Sequence, residues 1–329
     1  MNPTPSQILR QSKTSAFLVS DLINIRYLTG MDISFGLVLI SSRSMILFVD
    51  SRYSEASEKG VKDGIKVKDI DKLDRSLEKV PECGYESEHI TVDVLRRWKR
   101  KNKNTKFVRR KGVIQHFRRQ KGDDEIRRFK RSQRITRELL RRIPAALRSL
   151  PTEKGLAWKL ETWARELKAD GLSFDPIVAF GHNTSCPHHH PTDKKLKRGQ
   201  IVQIDVGVKY KGYCSDQSKV FFTGTPTSLQ KKVYLAVEEA QEKVIDALEP
   251  GVTNHKLDRI ARKVLDEHGF EKYFTHSLGH GVGLEIHEGI SLSQKAPQKK
   301  LLENEIITIE PGVYLPGKFG IRLEDEVIV

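Results

Sequence analysis

The sequence predicts an α/β chain of two domains, on three observations. Its 329 residues exceed what one hydrophobic core usually holds. Its first third alternates short apolar runs with helical stretches. Its last two fifths repeatedly end strand-like runs in an acid and then break them with glycine, a hairpin pattern.

The elements follow in chain order. Ala16–Val19, Gly36–Ile40 and Met45–Val49 are apolar runs of strand length, with helices expected from Arg52 and from Val92. Gln120-Lys121-Gly122 followed by Asp123-Asp124 marks a boundary, because acids suit the first turn of the helix that continues through Leu140. The expected domains are therefore residues 1–121 and 122–329. In the second, Val233, Val237, Ala240, Val244 and Leu248 share one helical face, as do Leu257, Ile260, Ala261 and Val264.

Asp205 ends the run Ile201–Ile204, and Asp216 precedes Val220, Phe221 and Phe222. The polar Lys209–Gly212 turn between them predicts a hairpin, with the turn or a bulge needed to bring both acids to one face. The device recurs: Ile306–Ile309 ends in Glu310, Pro311-Gly312 breaks it, and Gly320–Asp325 returns as a second acidic strand carrying Glu324. Between the hairpins, Gly279-His280-Gly281-Val282-Gly283 has too many glycines for a helix and reads as an extended segment. A phosphate-cradling loop would need a strand before it and a helix after it. Asp205, Asp216, His280, Glu310 and Glu324 together are an oxygen-rich ligand set with one imidazole. Such a set suits two divalent ions of the Mn, Co, Zn or Fe(II) kind.

The ordered motifs Asp-Val-Gly at Asp205, Tyr-Cys-Ser-Asp at Asp216, Gly-His-Gly-Val-Gly-Leu around His280, Ile-His-Glu at His287, Ile-Glu-Pro-Gly at Glu310 and Gly-Ile-Arg-Leu-Glu-Asp at Glu324 resemble those of the pita-bread metallopeptidases. Within them the chain is most similar to the Xaa-Pro peptidases, prolidase and aminopeptidase P. Phe174–Ala179 and Pro187-His188 match as well, and Asp21–Gly30 is similar to the opening of a creatinase-like N-terminal domain. The resemblance implies an N-terminal creatinase/prolidase-like α/β domain followed by a pita-bread α+β catalytic domain with a curved, mostly antiparallel sheet. It implies a dinuclear centre in which Asp205 chelates one ion, Asp216 and Glu324 bridge, and His280 with Glu310 complete the second, with Mn or Co favoured. A metal-bridging hydroxide would attack the Xaa-Pro bond of dipeptides or short peptides, and Glu310 would shuttle the proton. His276 and His287 would contact the scissile carbonyl and the tetrahedral intermediate, His188 would line the substrate pocket, and Arg322 would orient Glu324 or a substrate carboxylate. Methionine aminopeptidase shares the catalytic fold, but the N-terminal domain and the Ile-His-Glu and Arg-Leu-Glu-Asp contexts argue against it. The family also implies a homodimer formed through the N-terminal domain.

Two positions depart from the family pattern. Lys219 replaces an arginine, keeping the charge but losing the planar fork, and Ser291 stands near where prolidases place an arginine that reads the dipeptide carboxylate. The chain ends at Val329, soon after Glu324, so the last strand is expected to be thinly covered.

Composition sets the remaining expectations. Cys83, Cys186 and Cys214 are scattered and odd in number, which argues for a reducing, cytoplasmic home, and Cys214 is expected as a small buried filler. The segment Met1–Ser6 carries no export signal, and no run is long enough to span a bilayer. Lys and Arg total 58 against 43 acids, and about a third of the bases fall between Arg96 and Arg142. Such a stripe is usually a solvated helix face. The competing function is a non-catalytic polyanion- or protein-binding member of the fold that uses this stripe, nucleic acid included, with Trp98, Phe107, Phe117 and Phe129 as candidate stacking rings.

Overall fold

Apolar runs become strands wherever both faces can be buried. In the computed structural model, which describes residues 3–329, Ala16–Val19 (β1) is buried at every position. Met1 and Asn2, at the head of the segment read for an export signal, lie outside the described residues. Around β1, Leu37–Ser41 (β2), Ser44–Val49 (β3), Ile65–Asp69 (β4), Glu82–Glu86 (β5) and Lys106–Arg110 (β6) form one sheet in the order β4-β3-β2-β1-β5-β6. β1 runs parallel to β5 and antiparallel to β2, so the sheet is mixed. The expected helices are found at Ser54–Gly60 and Val92–Lys101.

The chain divides into two compact units, one ending at Arg118 and one running Arg119–Val329. Side-chain pairing accounts for the dividing point. Arg118 donates to Asn24 at 2.8 Å inside the first unit. Arg119 binds Glu305 at 2.6 Å and Lys121 binds Glu288 at 2.8 Å inside the second.

The second unit opens with the helix Asp123–Leu147, which has Asp123, Asp124 and Glu125 in its first turn. It passes Leu140 and even Pro144, because Ile143, Ala146 and Leu147 continue its buried face. With the helix Glu153–Glu166 it packs Ile135, Leu139, Ile143, Leu156 and Leu160 against Val178, Phe180, Val202, Ile204 and Val206. The helices Ser228–Asp246 and Asn254–Glu267 likewise bury Val233, Val237, Ala240, Leu257 and Ala261 against Ile307, Ile309, Val313 and Ile321. Each fully buried aliphatic side chain of this kind contributes about 1.5–3 kcal/mol. Val329 packs against the same cluster and its carbonyl accepts from Asn304 N at 2.8 Å, so the last strand is held on both counts.

Between the helix pairs lie short strands whose pairings are all antiparallel: Gly171–Leu172 (β7), Ile177–Phe180 (β8), Ile201–Val206 (β9), Val208–Tyr210 (β10), Tyr213–Cys214 (β11), Gln217–Phe222 (β12), Gly279–Gly281 (β13), Glu288–Leu292 (β14), Ile306–Ile309 (β15), Gly312–Leu315 (β16), Phe319–Arg322 (β17) and Asp325–Ile328 (β18). Gly320–Asp325, read from sequence as one strand, is interrupted after Arg322. Leu323 N donates to Pro311 O at 3.4 Å and Glu324 N leaves the ladder for Ser218 O at 3.1 Å.

The basic stripe is not one surface. Trp98 and Phe129 are core residues and Phe107 stacks on Trp98 with centroids 5.9 Å apart, so these rings are not exposed stacking platforms. Arg118, Arg119 and Lys121 are buried as well. Cys214 is fully buried beside Phe129 and Val282, as a filler should be.

Candidate metal centre

Two hairpins carry the four acids to one place. In the first, β9 pairs β12 with Asp205 opposite Ser218, and the same register continues through β10 and β11 to the turn Lys211-Gly212. Lys211 at φ 47° and Gly212 at φ 84° make a two-residue turn of the primed kind, which matches strand twist. Carried through the gap, this register sets Asp216 opposite Gly207, two positions from Ser218. Asp216 therefore faces the same side as Asp205, and no bulge is needed. In the second hairpin β16 pairs β17 and β15 pairs β18 in one continuous register, so Glu310 falls opposite Glu324. Arg322 and Tyr314, each an even step away, share that face. His280 comes from β13, where Gly281 allows a close approach: a Cβ there would lie 2.1 Å from the carbonyl oxygen of Glu288.

Asp205, Asp216, His280 and Glu324 are all buried. His280 Nε2 lies 3.5 Å from Asp216 Oδ2 and 3.5 Å from Glu310 Oε1. Ligand atoms of Asp216, His280 and Glu324 fall within 4.8 Å of one another. The ring orientation is set from behind, because Nδ1 faces the Gly281 carbonyl at 3.2 Å and must carry the hydrogen. Burial, with His287 nearby, lowers the His280 pKa to about 3, so Nε2 presents a lone pair to the carboxylates. Asp205 Oδ1 is buried without any hydrogen-bond partner among the described residues.

Acceptors thus crowd together, with Arg322 at Asp205 Oδ2 as the one cation among them in the described residues and only the weak Thr308 hydroxyl contact at Glu310 Oε1, 3.5 Å. Burial and then the neighbouring carboxylates push Asp216 and Glu324 well above their usual range, and burial raises Glu310 to about 8. A cluster of this kind is satisfied by cations, and the donor set of hard oxygens with one imidazole fits divalent ions.

The surrounding residues fix these ligands. Arg322 donates from Nη2 to Asp205 Oδ2 at 2.6 Å, from Nε to Ser218 Oγ at 2.9 Å, and from Nη1 to Tyr314 Oη at 2.7 Å and the Pro187 carbonyl at 3.2 Å. It was expected to orient Glu324 or a substrate carboxylate, and its hydrogen bonds go to Asp205 instead. His276 donates from Nδ1 to the Ser277 carbonyl at 2.8 Å and accepts from the Tyr314 hydroxyl at Nε2, at 2.9 Å. Burial and the Arg322 charge lower its pKa to about 4, so the ring is neutral. Its Nδ1 is 4.0 Å from Glu310 Oε2, and both ring nitrogens are already engaged within the protein. His287 packs edge-on against His280 with centroids 4.1 Å apart. His188 and His287 are exposed towards a cavity of about 680 Å³ that also reaches Asp205, Asp216, His276, His280, Glu310, Arg322 and Glu324. Neither has a hydrogen-bond partner among the described residues. The neighbouring His189 is engaged, at 2.9 Å from buried Glu153.

Sequence reasoning missed the groups that orient the ligands. Tyr314 joins Arg322 to His276. Glu326 accepts the Asp216 amide at 2.5 Å, and Thr308 Oγ1 accepts the His280 amide at 3.0 Å. Buried Lys121 pairs with Glu288, the residue after His287. Even spacing from Glu310 and Glu324 was the available signal for Tyr314 and Glu326.

Residues 127–329 match metallopeptidase family M24, and residues 6–120 match the creatinase/prolidase N-terminal domain. A protein of Pyrococcus horikoshii named Xaa-Pro dipeptidase is 33% identical over 325 residues, covering 98% of this chain and 92% of its own length. Among solved structures, an X-Pro aminopeptidase from Thermotoga maritima superposes with a TM-score of 0.91 at 33% identity, covering 98% of this chain and 95% of that one. An Xaa-Pro dipeptidase from Bacillus anthracis gives 0.94 at 30% identity, covering 99% and 94%. The hairpins, the converging acids and these likenesses agree: the chain belongs to metallopeptidase family M24, with a creatinase-type N-terminal domain and a pita-bread catalytic domain.

Proposed function

We propose that the protein is an exopeptidase that uses two divalent ions to release the N-terminal residue of peptides with proline in second place. The observation that carries this reading is the set Asp205, Asp216, His280, Glu310 and Glu324, brought by two hairpins and one short strand to the floor of one cavity. The relatives named as Xaa-Pro peptidases support the choice of substrate. As a metallopeptidase the chain takes divalent metal. Its mainly carboxylate ligands suit Mn(II) or Co(II), with Zn and Fe(II) able to occupy the same donors. When bound, the ions would supply Lewis acidity and bring the pKa of a water molecule close to neutral.

The chain's own groups do the rest. Arg322 holds Asp205 Oδ2, leaving the unpartnered Oδ1 for a cation. Glu310, on the cavity floor beside His280, is placed to take a proton from the attacking water and return it to the departing proline nitrogen. His287 and His188, with no hydrogen-bond partner among the described residues, are available to the scissile carbonyl and to the substrate. His276 reaches substrate only by exchanging its Tyr314 bond. Otherwise it buttresses Tyr314, and through it Arg322.

One observation favours substrates that continue beyond proline. Arg322, the single Arg or Lys lining the cavity among the described residues, is already bonded to Asp205, Ser218, Tyr314 and Pro187, so a dipeptide carboxylate would meet Ser291 and histidines instead of a free guanidinium. The test of the reading is metal content and activity in Asp216→Ala and Glu310→Ala. Both should lose bound metal and nearly all activity. Retention of both properties in either variant would show that the ligand assignment is wrong.

A further inference from the structure

The first unit carries a concentrated cationic face that the peptidase reading does not use. Between Arg96 and Lys103 every residue except Trp98 and Asn102 is basic, and Arg96, Arg97, Lys99, Arg100, Lys101 and Lys103 are all exposed. They lie on the helix Val92–Lys101 and the turn that follows it. Trp98 is buried against Phe107, so it fixes which side of the helix faces the core. Among the described residues, Arg96 meets Asp93 at 3.7 Å and Lys101 meets Asp74 at 2.9 Å. Among the described residues, Arg97, Lys99, Arg100 and Lys103 have no acid partner within ion-pair distance.

A solvated face accounts for part of this, because Lys99, Arg100 and Lys101 sit in the last turn, where cations oppose the helix dipole. Arg96 and Arg97 lie further from the C-terminus. They face Arg100 and Lys101 one turn on, and each like-charged pair of this spacing costs an isolated helix about 0.2–0.5 kcal/mol. On the helix only Asp93, at 3.7 Å from Arg96, offsets that repulsion, and Arg97 and Arg100 have no such partner there. A ten-residue helix spans about 15 Å, a length along which a nucleic-acid duplex presents about nine phosphate charges.

We propose that this face, Arg96 to Lys103, docks on the phosphate backbone of double-helical nucleic acid. No aromatic ring is exposed between Arg96 and Lys103, so base stacking is not available and the contact is indifferent to sequence. With about four phosphates neutralised, affinity should fall roughly a hundredfold between about 50 and 200 mM salt.

The test is fluorescence anisotropy of a short fluorescein-labelled DNA duplex titrated with the full chain. Two unrelated duplexes should bind equally at low salt and weaken together as salt rises. The combined variant Arg97→Gln, Lys99→Gln, Arg100→Gln and Lys103→Gln should bind at least tenfold more weakly, with a much shallower salt slope and an unchanged melting temperature. A control with Lys130→Gln, Arg134→Gln and Arg137→Gln, exposed bases of the second unit, should bind like the parent. The proposal is overturned by absence of binding at the lowest salt, by undiminished binding of the combined variant, or by loss confined to the control. Displacement of the duplex by polyglutamate at equal charge concentration would also overturn it, in favour of an acidic protein surface.

Discussion

Replacing Lys121 with methionine should damage both stability and catalysis. Lys121 Nζ lies 2.8 Å from Glu288 Oε1, with the side chains only 1% and 3% exposed, and it also donates to the Arg119 carbonyl at 3.2 Å. Methionine matches the shape and removes the charge that lies against the buried Glu288 carboxylate. Stranding one member of a buried pair costs about 3–5 kcal/mol. For a unit of this size each kcal/mol shifts the melting temperature by about 2–4 °C, so a fall of about 6–20 °C is expected. Lowering the pH should shrink the deficit, because the stranded carboxylate can take up a proton. Pairing the change with Glu288→Gln should recover much of the stability, since both members of the Lys121–Glu288 pair are then neutral. Glu288 directly follows His287, so Lys121→Met should also raise KM for proline peptides as His287 loosens. Scanning calorimetry of the metal-free single and double variants at two pH values is the assay. A shift below about 2 °C with unchanged KM would refute the reasoning, because it would mean that the pair is effectively hydrated.

Arg322→Lys keeps the charge but not the fork that holds Asp205, Ser218 and Tyr314, and should lower metal affinity or kcat by about 10- to 100-fold. Metal titration followed by steady-state kinetics checks it. Tyr314→Phe removes the link between Arg322 and His276 in a buried setting and should cost about 1–3 kcal/mol in urea unfolding, with a fall in kcat larger than any change in KM. Glu153 accepts from Phe180 N, Asn183, Thr192 and His189, so Glu153→Gln should loosen the segment bearing His188 and raise KM more than it lowers kcat. The raised carboxylates give a pH dependence of definite sign. Burial lifts Glu310 from the usual 4.5 to about 8, so the folded metal-free protein binds more protons than the unfolded chain across that window. Its stability should therefore decline as pH rises from about 5 to 8, and divalent metal added at pH 7 should release protons. Calorimetric metal titration in buffers of different ionisation enthalpy reads that release, and a buffer-independent heat would contradict it.

The ligand-bearing hairpins were legible because strand periodicity and turn chemistry are local. An apolar run ending in Asp205 or Glu310, followed by glycine within a few residues, states both the strand and its end. The glycines around His280 excluded a helix for an equally local reason. What the sequence could not supply was pairing across distance. Arg322 lies two residues from Glu324, yet its partners are Asp205 and Ser218 on the other hairpin. The break between Arg322 and Asp325 was hidden for the same reason, since the Glu324 amide leaves its strand to reach Ser218 O. Pro144, a helix stop in isolation, is overridden by the buried face that continues to Leu147.

The most direct measurement of the central claim is hydrolysis of a matched series, Xaa-Pro, Xaa-Pro-Yaa and Xaa-Ala-Yaa, by metal-stripped protein with and without Mn(II) or Co(II). The account predicts no cleavage without metal and, with it, cleavage confined to the proline peptides, with Xaa-Pro-Yaa preferred because Arg322 is not free to bind a dipeptide carboxylate. Equal cleavage of Xaa-Ala-Yaa, or no cleavage by folded protein that retains two metal ions, would contradict it.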